Sequence, residues 1–136
     1  MELFSLGGDS ALALERPFTT GVGNTIKLFE VSFAGAPDIS AIESLEGMDL
    51  SQIPSVSKTL LLDFATLGIT LDNIEGMTFG SVLEDGRQSL IIVSDTNFAA
   101  TQFTQVMGFA LTVVPAPGAA GVLLIAGLVA GRRRLV

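Results

Sequence analysis

The sequence predicts an all-β protein. Short segments with strand periodicity recur along most of its 136 residues, and polar turns containing glycine separate them. No segment before the C-terminal tail has the pattern of an amphipathic helix. About seven such strands, joined by polar turns and without amphipathic helices, are typical of all-β architectures.

The first half of the chain contains four predicted strands and one long connection. The segment 25–33 alternates apolar and polar residues, which is typical of a strand with one solvent-exposed face. Residues 34–55 include Pro37 and Pro54 and have no sustained periodicity, so they predict an extended connection. The four predicted strands are residues 1–6, 11–16, 25–33 and 56–64.

The second half of the chain is dominated by a predicted β-hairpin at residues 72–98. Its turn reads Glu-Asp-Gly-Arg, and Gly86 can adopt the positive φ that a tight turn requires. The returning strand is apolar at every position of the run 90–93, which predicts that both of its faces are covered. Residues 104–113 predict the last strand before the tail.

Five oxygen-bearing side chains flank this hairpin, namely Asp72, Asn73 and Glu75 at its start and Asp95 and Asn97 at its end. Antiparallel pairing brings the two groups to one edge of the sheet. Two interpretations stay open, because Asp and Asn commonly cap turns and their oxygens are also ligands for a hard cation. Glu75 favours the cation, since it starts a strand and has no basic neighbour in the sequence.

Charge and composition limit the chemistry of this sequence. It has 14 acidic and 7 basic residues, and three of the basic ones are the consecutive arginines 132–134. Residues 1–131 therefore hold four basic against 14 acidic residues, a net charge of about −10 that should repel nucleic acid and attract cations. The sequence contains no Cys, His, Trp or Tyr, which excludes a Ser-His-Asp triad, a cysteine nucleophile and a His or Cys zinc site within it.

Three motifs lie in the hairpin region and a fourth precedes it. They read Asn73-Ile74-Glu75-Gly76-Met77, Asp85-Gly86-Arg87-Gln88-Ser89-Leu90, Ser94-Asp95-Thr96-Asn97-Phe98 and, earlier, Leu14-Glu15-Arg16-Pro17-Phe18. Their order resembles the C-terminal part of the phytase-like (esterase-like activity of phytase) family over roughly residues 5–112. Thr96 is a departure, because the family has a second Asp at that position. Arg16 is expected to form a surface or inter-blade ion pair.

The resemblance implies a β-propeller-like fold of exported bacterial proteins. The spacing of two residue pairs agrees with this fold. Glu15 and Phe18 are three residues apart, as are Asp95 and Phe98, and the two pairs are offset by 80 residues, as an internal repeat would produce. A complete propeller has at least about four blades. Residues 1–113 are therefore expected to form a partial propeller of about two blades, with missing N-terminal blades of the same domain upstream.

Two functions stay open for the full-length protein. The resemblance implies a metal-assisted phosphoester or ester hydrolase, with calcium as the expected cation. Its metal ligands would be Glu75, Asp95, Glu15 and Asn97, and no residue is assigned as catalytic. The alternative is a non-catalytic extracellular binding or matrix-associated protein whose acidic residues bind structural calcium or cap turns. The 136-residue chain alone is expected to be inactive.

Residues 114–136 predict a separate module, a proline motif followed by a short hydrophobic helix. The run 118–131 carries no charge and as a helix would be about 21 Å long, against about 30 Å for the hydrocarbon core of a bilayer. The three arginines that follow favour a short membrane segment with a cytoplasmic basic end over a buried core helix.

The order of features in this tail resembles the PEP-CTERM sorting signal of Gram-negative bacteria. The matching residues are Val114, Pro115, Ala116, Pro117, Arg132, Arg133 and Arg134, with Ala116 where the signal usually has Glu. The resemblance implies export and an inner-membrane anchor that faces the periplasm. It also implies processing by an exosortase-type enzyme, which would deliver the protein to the cell surface or the medium.

Overall fold

The computed structural model describes residues 1–114 and 122–132, with side chains described for residues 1–112 except Gln52. Two short 3₁₀ helices, Leu50–Gln52 and Phe64–Leu67, accompany ten β-strands in this part of the chain. The strands are β1 Glu2–Gly7, β2 Ser10–Glu15, β3 Phe18–Thr19, β4 Gly23–Asn24, β5 Lys27–Ser32, β6 Ser57–Asp63, β7 Ile74–Val82, β8 Gln88–Ser94, β9 Gln105–Val114 and β10 Val122–Arg132. The prediction of an all-β fold is confirmed for the described residues.

Two four-stranded sheets make up most of the structure. The first sheet has the order β1-β2-β5-β6, and the second has the order β7-β8-β9-β10. Every pair of neighbouring strands is antiparallel, and neither sheet closes on itself. The short hairpin β3-β4 is inserted between β2 and β5. Both large sheets are therefore meanders, in which each strand pairs with the next long strand of the chain.

The two sheets pack face to face in the same orientation. Strand β1 lies against β7, and β6 lies against β10. Arg16 contacts both Glu2, where β1 begins, and Asn73, which precedes β7, so the two strands begin at the same end of the molecule. We call this end, which carries Glu2, Arg16, Asn73 and Glu75, the polar end.

The hydrophobic core lies between the sheets. The first sheet contributes Leu12, Leu14 and Leu28, and the second contributes Leu90, Ile92, Met107 and Phe109, all of them buried. Phe64, from the 3₁₀ helix after β6, is fully buried and meets Phe109 edge to face with 5.7 Å between ring centroids. A second aromatic pair, Phe4 with Phe79, joins β1 to β7 at 4.7 Å. Aromatic contacts thus connect the sheets at two points.

Strand β8 corrects one prediction from the sequence. Leu90 and Ile92 are fully buried, as expected, but Val93 is 37 % exposed and Ile91 is half-buried. The uninterrupted apolar run therefore does not indicate burial on both faces in this structure. Only the face toward the first sheet is covered completely, because strand geometry sends alternate side chains to opposite faces.

The tail corrects another prediction, since residues Val122–Arg132 form a strand and not a hydrophobic helix. Strand β10 pairs with β9 from Val122↔Val114 to Arg132↔Gln105. Two glycines within the run lower helix propensity, and the backbone groups of β9 offer hydrogen bonds to an extended partner. Within the part of the chain that the structure describes, no helix is long and apolar enough to cross a membrane. Residues 115–117, 133 and 134 of the predicted sorting motif lie outside the described residues.

Phe64 provides a test of the core. We expect Phe64→Ala to lower the free energy of unfolding by about 3–5 kcal/mol, because it leaves a cavity between the two sheets and removes the contact with Phe109. Urea unfolding followed by circular dichroism measures this loss. Phe98→Ala is the matched control, since the Phe98 side chain is fully exposed and its removal should leave the midpoint unchanged. Equal midpoints for both variants would contradict this description of the core.

Candidate functional site

Glu75 lies in a β-bulge at the beginning of β7. Ile74 pairs with Ser94 and Gly76 pairs with Val93, so Glu75 is an extra residue with no partner of its own on β8. A bulge of this kind changes the direction of the side chain that it carries. Ile74 is fully buried beside it and fixes the start of the strand in the core. The bulge leaves the Glu75 carboxylate half-buried at the polar end.

Two amides hold one oxygen of the Glu75 carboxylate. Asn73 Nδ2 donates to Oε1 at 2.8 Å, and Asn97 Nδ2 donates to the same atom at 2.9 Å. The Asn97 backbone has a φ of 47°, a left-handed conformation that asparagine tolerates better than most residues. The expected convergence of Asn73, Glu75 and Asn97 at one edge of the hairpin is therefore confirmed. Within the described residues, Oε2 of Glu75 has no hydrogen-bond partner.

Arg16 extends this arrangement to the first sheet. Its Nη1 donates to Asn73 Oδ1 at 2.9 Å, and its Nη2 lies 3.7 Å from Glu2 Oε1. The expected ion pair of Arg16 thus occurs within the first sheet, with Glu2, and its contact with the second sheet is a hydrogen bond to the Asn73 amide. We refer to Glu2, Arg16, Asn73, Glu75 and Asn97 as the Glu75 network. The Nε atom of Arg16 is buried and has no partner among the described residues.

Asp72 has a structural role beside the network. It is buried, and its two oxygens accept hydrogen bonds from the backbone N–H groups of Asn73 and Phe103. These bonds connect the beginning of β7 to the segment before β9. For Asp72, turn capping is therefore the interpretation that the structure supports.

Ser94 and Gln105 are buried polar residues that sequence reasoning missed. Ser94 Oγ donates to the Phe103 carbonyl at 2.9 Å and accepts from the Gln105 backbone N–H at 3.0 Å. Gln105 is 6 % exposed, and its Oε1 has no partner among the described residues. The signal in the sequence was a polar residue that ends an apolar strand at an inward-facing position. The alternation of apolar and polar residues does not distinguish such a buried polar residue from an exposed strand end.

The other predicted metal ligands lie in separate local contacts. Asp95 Oδ1 accepts from the Thr96 backbone N–H at 2.7 Å and lies 3.5 Å from Thr104 Oγ1. Glu15 forms an ion pair with Lys58 on β6. Among residues 1–114 and 122–132, no group of three or more His, Cys, Asp or Glu side chains could hold a metal ion. Asp95 and Glu15 therefore lie in contacts separate from Glu75, and the metal site stays a prediction.

Shifted pKa values occur outside the Glu75 network. Hydrogen bonds from Ser40 and Ser51 lower the pKa values of Asp38 and Asp49, respectively. The hydrogen bond from the Arg87 side chain lowers the pKa of Asp85 and raises the pKa of Arg87. All four groups lie in turns or loops, so their shifts reflect turn capping and do not indicate a reactive centre.

The Glu75 network lies in a region of the chain that matches a protein-family model. The model of the phytase-like family, described as esterase-like activity of phytase, matches residues 1–98, which is more than half of the chain. The chain belongs to the phytase-like family. All five residues of the Glu75 network lie within the matched range, which ends before β9. No curated protein and no solved structure matches the chain.

Arg16 provides a test of the link between the sheets in this phytase-like chain. We expect Arg16→Ala to lower the free energy of unfolding by about 1–3 kcal/mol, because Asn73 Oδ1 loses a charged donor in a partly buried site. Arg16→Lys should recover only part of the loss, since an ammonium group does not reproduce the planar guanidinium.

Urea unfolding of the three proteins measures this effect. Arg87→Ala is the control, because Arg87 pairs with Asp85 in the exposed turn at the opposite end of the hairpin. If Arg16→Ala and Arg87→Ala unfold at the same midpoint as the unchanged chain, the Arg16 contact does not hold the sheets together.

Proposed function

We propose that this chain supplies part of the catalytic surface of a phytase-like hydrolase that cleaves esters or phosphoesters, with Glu75 as its central carboxylate. The observation that carries the proposal is the two-amide contact to Oε1, which leaves Oε2 without a partner among the described residues. A carboxylate oriented in this way can accept a proton from a water molecule that attacks an ester. The absence of His and Cys from the sequence makes a carboxylate the natural base here.

The negative net charge of the chain favours weakly charged substrates over polyphosphates. Residues 1–131 carry a net charge of about −10, which disfavours the approach of a densely phosphorylated molecule. Arg16 is the basic residue of the Glu75 network, and its guanidinium already contacts Asn73 and Glu2. We therefore propose that simple esters and singly charged phosphoesters are better substrates than polyphosphates.

Calcium stays a prediction from the sequence. Glu75 Oε2 and Asn97 Oδ1 are two oxygen atoms at the polar end that a hard cation could use. Calcium takes about six to eight oxygen ligands, so water or residues beyond the described ones would have to supply the others. Titration calorimetry with calcium, on the unchanged protein and on Glu75→Gln, tests whether Glu75 belongs to such a site.

The topology supports the proposal that the two sheets are blades of a propeller. Each is a four-stranded antiparallel meander, the form that propeller blades have. Both sheets also begin at the polar end, so equivalent strand ends are brought to one side of the assembly. A complete propeller would need further sheets of the same kind.

A non-catalytic binding or matrix-associated role is the second candidate. It is supported by the contacts of Glu15 with Lys58 and of Asp95 with Thr96, because both acids then serve local structure. Export from a Gram-negative bacterium and processing by an exosortase-type enzyme also stay predictions, which rest on the sequence of the tail. Fractionation of the producing cell with an antibody against residues 1–98 tests the export.

The catalytic proposal is tested with Glu75→Gln in the product of the complete open reading frame. We expect kcat/KM for p-nitrophenyl esters or bis(p-nitrophenyl) phosphate, a singly charged phosphodiester, to fall by about 100-fold or more, because the amide cannot accept the proton. The unfolding midpoint should change little, since a glutamine oxygen can still accept hydrogen bonds from Asn73 and Asn97.

Glu84→Gln is the matched control for this assay. It removes the same charge from the turn at the opposite end of the hairpin and should leave the hydrolysis rate unchanged. Equal rates for the unchanged protein and Glu75→Gln would remove Glu75 from the reaction. A lack of hydrolysis by the unchanged protein would favour the binding role.

A further inference from the structure

The turn that follows β8 places two consecutive residues in the left-handed region of φ. Asn97 has a φ of 47° and Phe98 a φ of 56°, and among the described residues they are the only non-glycine residues with a positive φ. The Ala99 backbone N–H donates to the Thr96 carbonyl at 2.8 Å, which closes the turn. A β-turn with a positive φ at both central residues is of type I′, and its favoured central pair is Asn-Gly. Phe98 therefore occupies the position that glycine suits best.

Phe98 contributes no packing to the fold that would offset this strain. A side chain with a Cβ atom disfavours the left-handed region, and the Phe98 side chain is fully exposed, so it buries no apolar surface. Its backbone N–H donates to Thr96 Oγ1 at 3.3 Å, a bond that glycine would also form. A phenylalanine at this position is thus unfavourable for folding, which points to a role outside the fold.

This turn is attached to the candidate carboxylate. Asn97, the residue before Phe98, donates from Nδ2 to Glu75 Oε1 at 2.9 Å. Backbone strain of this kind persists where surrounding contacts hold it, and it clusters at active sites and ligand-binding sites. The Asn97–Glu75 hydrogen bond is such a contact. Phe98 therefore presents an apolar ring one residue from a side chain of the Glu75 network.

The first sheet also has an exposed phenylalanine beside the Glu75 network. Phe18 is 69 % exposed and lies two residues after Arg16. Phe18 follows β2 and Phe98 follows β8, and each of these strands is the second in its meander. The network therefore has an exposed ring next to its members on both sheets. Apolar and aromatic side chains around a few polar groups are typical of sites for small organic ligands.

We propose that Phe98 binds the aryl group of an aryl ester that is hydrolysed at Glu75. An exposed phenyl ring offers an aromatic group offset-stacked or edge-to-face contact, and it offers no hydrogen bond to a polar group. In the reaction, Glu75 accepts a proton from water, the water oxygen bonds to the acyl carbon, and the bond from that carbon to the phenolic oxygen breaks. The proton passes from Glu75 to the phenolate, so the products are a carboxylic acid and a phenol. This inference rests on the proposed hydrolysis and adds the substrate class and the residue that recognises it.

The test measures selectivity in the product of the complete open reading frame. Phenyl acetate carries an aryl group, and trifluoroethyl acetate is an activated ester without one. We expect Phe98→Ala to lower the ratio of kcat/KM for phenyl acetate to kcat/KM for trifluoroethyl acetate by about threefold to tenfold, mainly through a higher KM for phenyl acetate. Phe98→Gly should show the same loss and also unfold at a higher urea concentration than the unchanged protein, because glycine relieves the strained φ. A pH-stat measures the hydrolysis rates.

Binding is measured separately with fluoroacetophenone, an aryl ketone that cannot be hydrolysed, in a titration followed by fluorine NMR. Both Phe98 variants should weaken its affinity, whereas Val82→Ala, which truncates an exposed residue at the opposite end of the hairpin, should match the unchanged protein.

The outcomes separate this inference from the proposed hydrolysis. Equal selectivity and equal affinity in the unchanged protein and Phe98→Ala would overturn the aryl site and leave the hydrolysis proposal intact. A lower unfolding midpoint for Phe98→Gly would also overturn it, because the ring would then support the fold. Affinity that depends on Phe98, without hydrolysis of either ester, would support the aryl site and refute only the catalytic role of Glu75.

Discussion

The hydrogen bond from Arg16 to Asn73 determines how the polar end is arranged. A guanidinium group can only donate, so the amide oxygen of Asn73 must face Arg16. The amide nitrogen of Asn73 then points the other way and donates to Glu75. One contact between residues 57 positions apart thus joins the sheets and orients the carboxylate. The Arg16–Asn73 hydrogen bond therefore stabilises the fold and also sets the geometry of the candidate site.

The sequence predicted the β7-β8 hairpin, but it did not predict the contacts of this hairpin with the first sheet or the pairing of β10 with β9. Turn residues and an apolar returning strand predicted the pairing of β7 with β8, and antiparallel geometry then predicted that Glu75 and Asn97 would meet. The bulge at Glu75 and the contact with Arg16 could not be predicted in this way, because both depend on packing between sheets. The predicted helix in the tail is wrong because composition does not include the hydrogen bonds that β9 offers to β10.

The carboxylates of Asp72, Asp95, Glu15 and Glu75 differ in the groups that hold them. Asp72, Asp95 and Glu15 are held by backbone N–H groups or by a lysine. Glu75 differs because its contacts come from two side-chain amides, those of Asn73 and Asn97. The sequence already predicted Glu75 as the first ligand candidate, since it starts a strand and has no basic neighbour. The match to the phytase-like family covers all four of these carboxylates.

Strand β10 gives the tail a structural role in the second sheet. Strand β9 pairs with β10 along its whole length, from Gln105 to Val114, and with β8 from Gln105 to Leu111. A protease that cut after Val114 and released the tail would strip one strand from the second sheet and uncover the backbone donors and acceptors along that side of β9. Uncovered sheet edges recruit extended segments from other molecules. Cleavage after Val114 would therefore expose the edge of β9, and the unpaired backbone groups of that edge would need a new hydrogen-bonding partner.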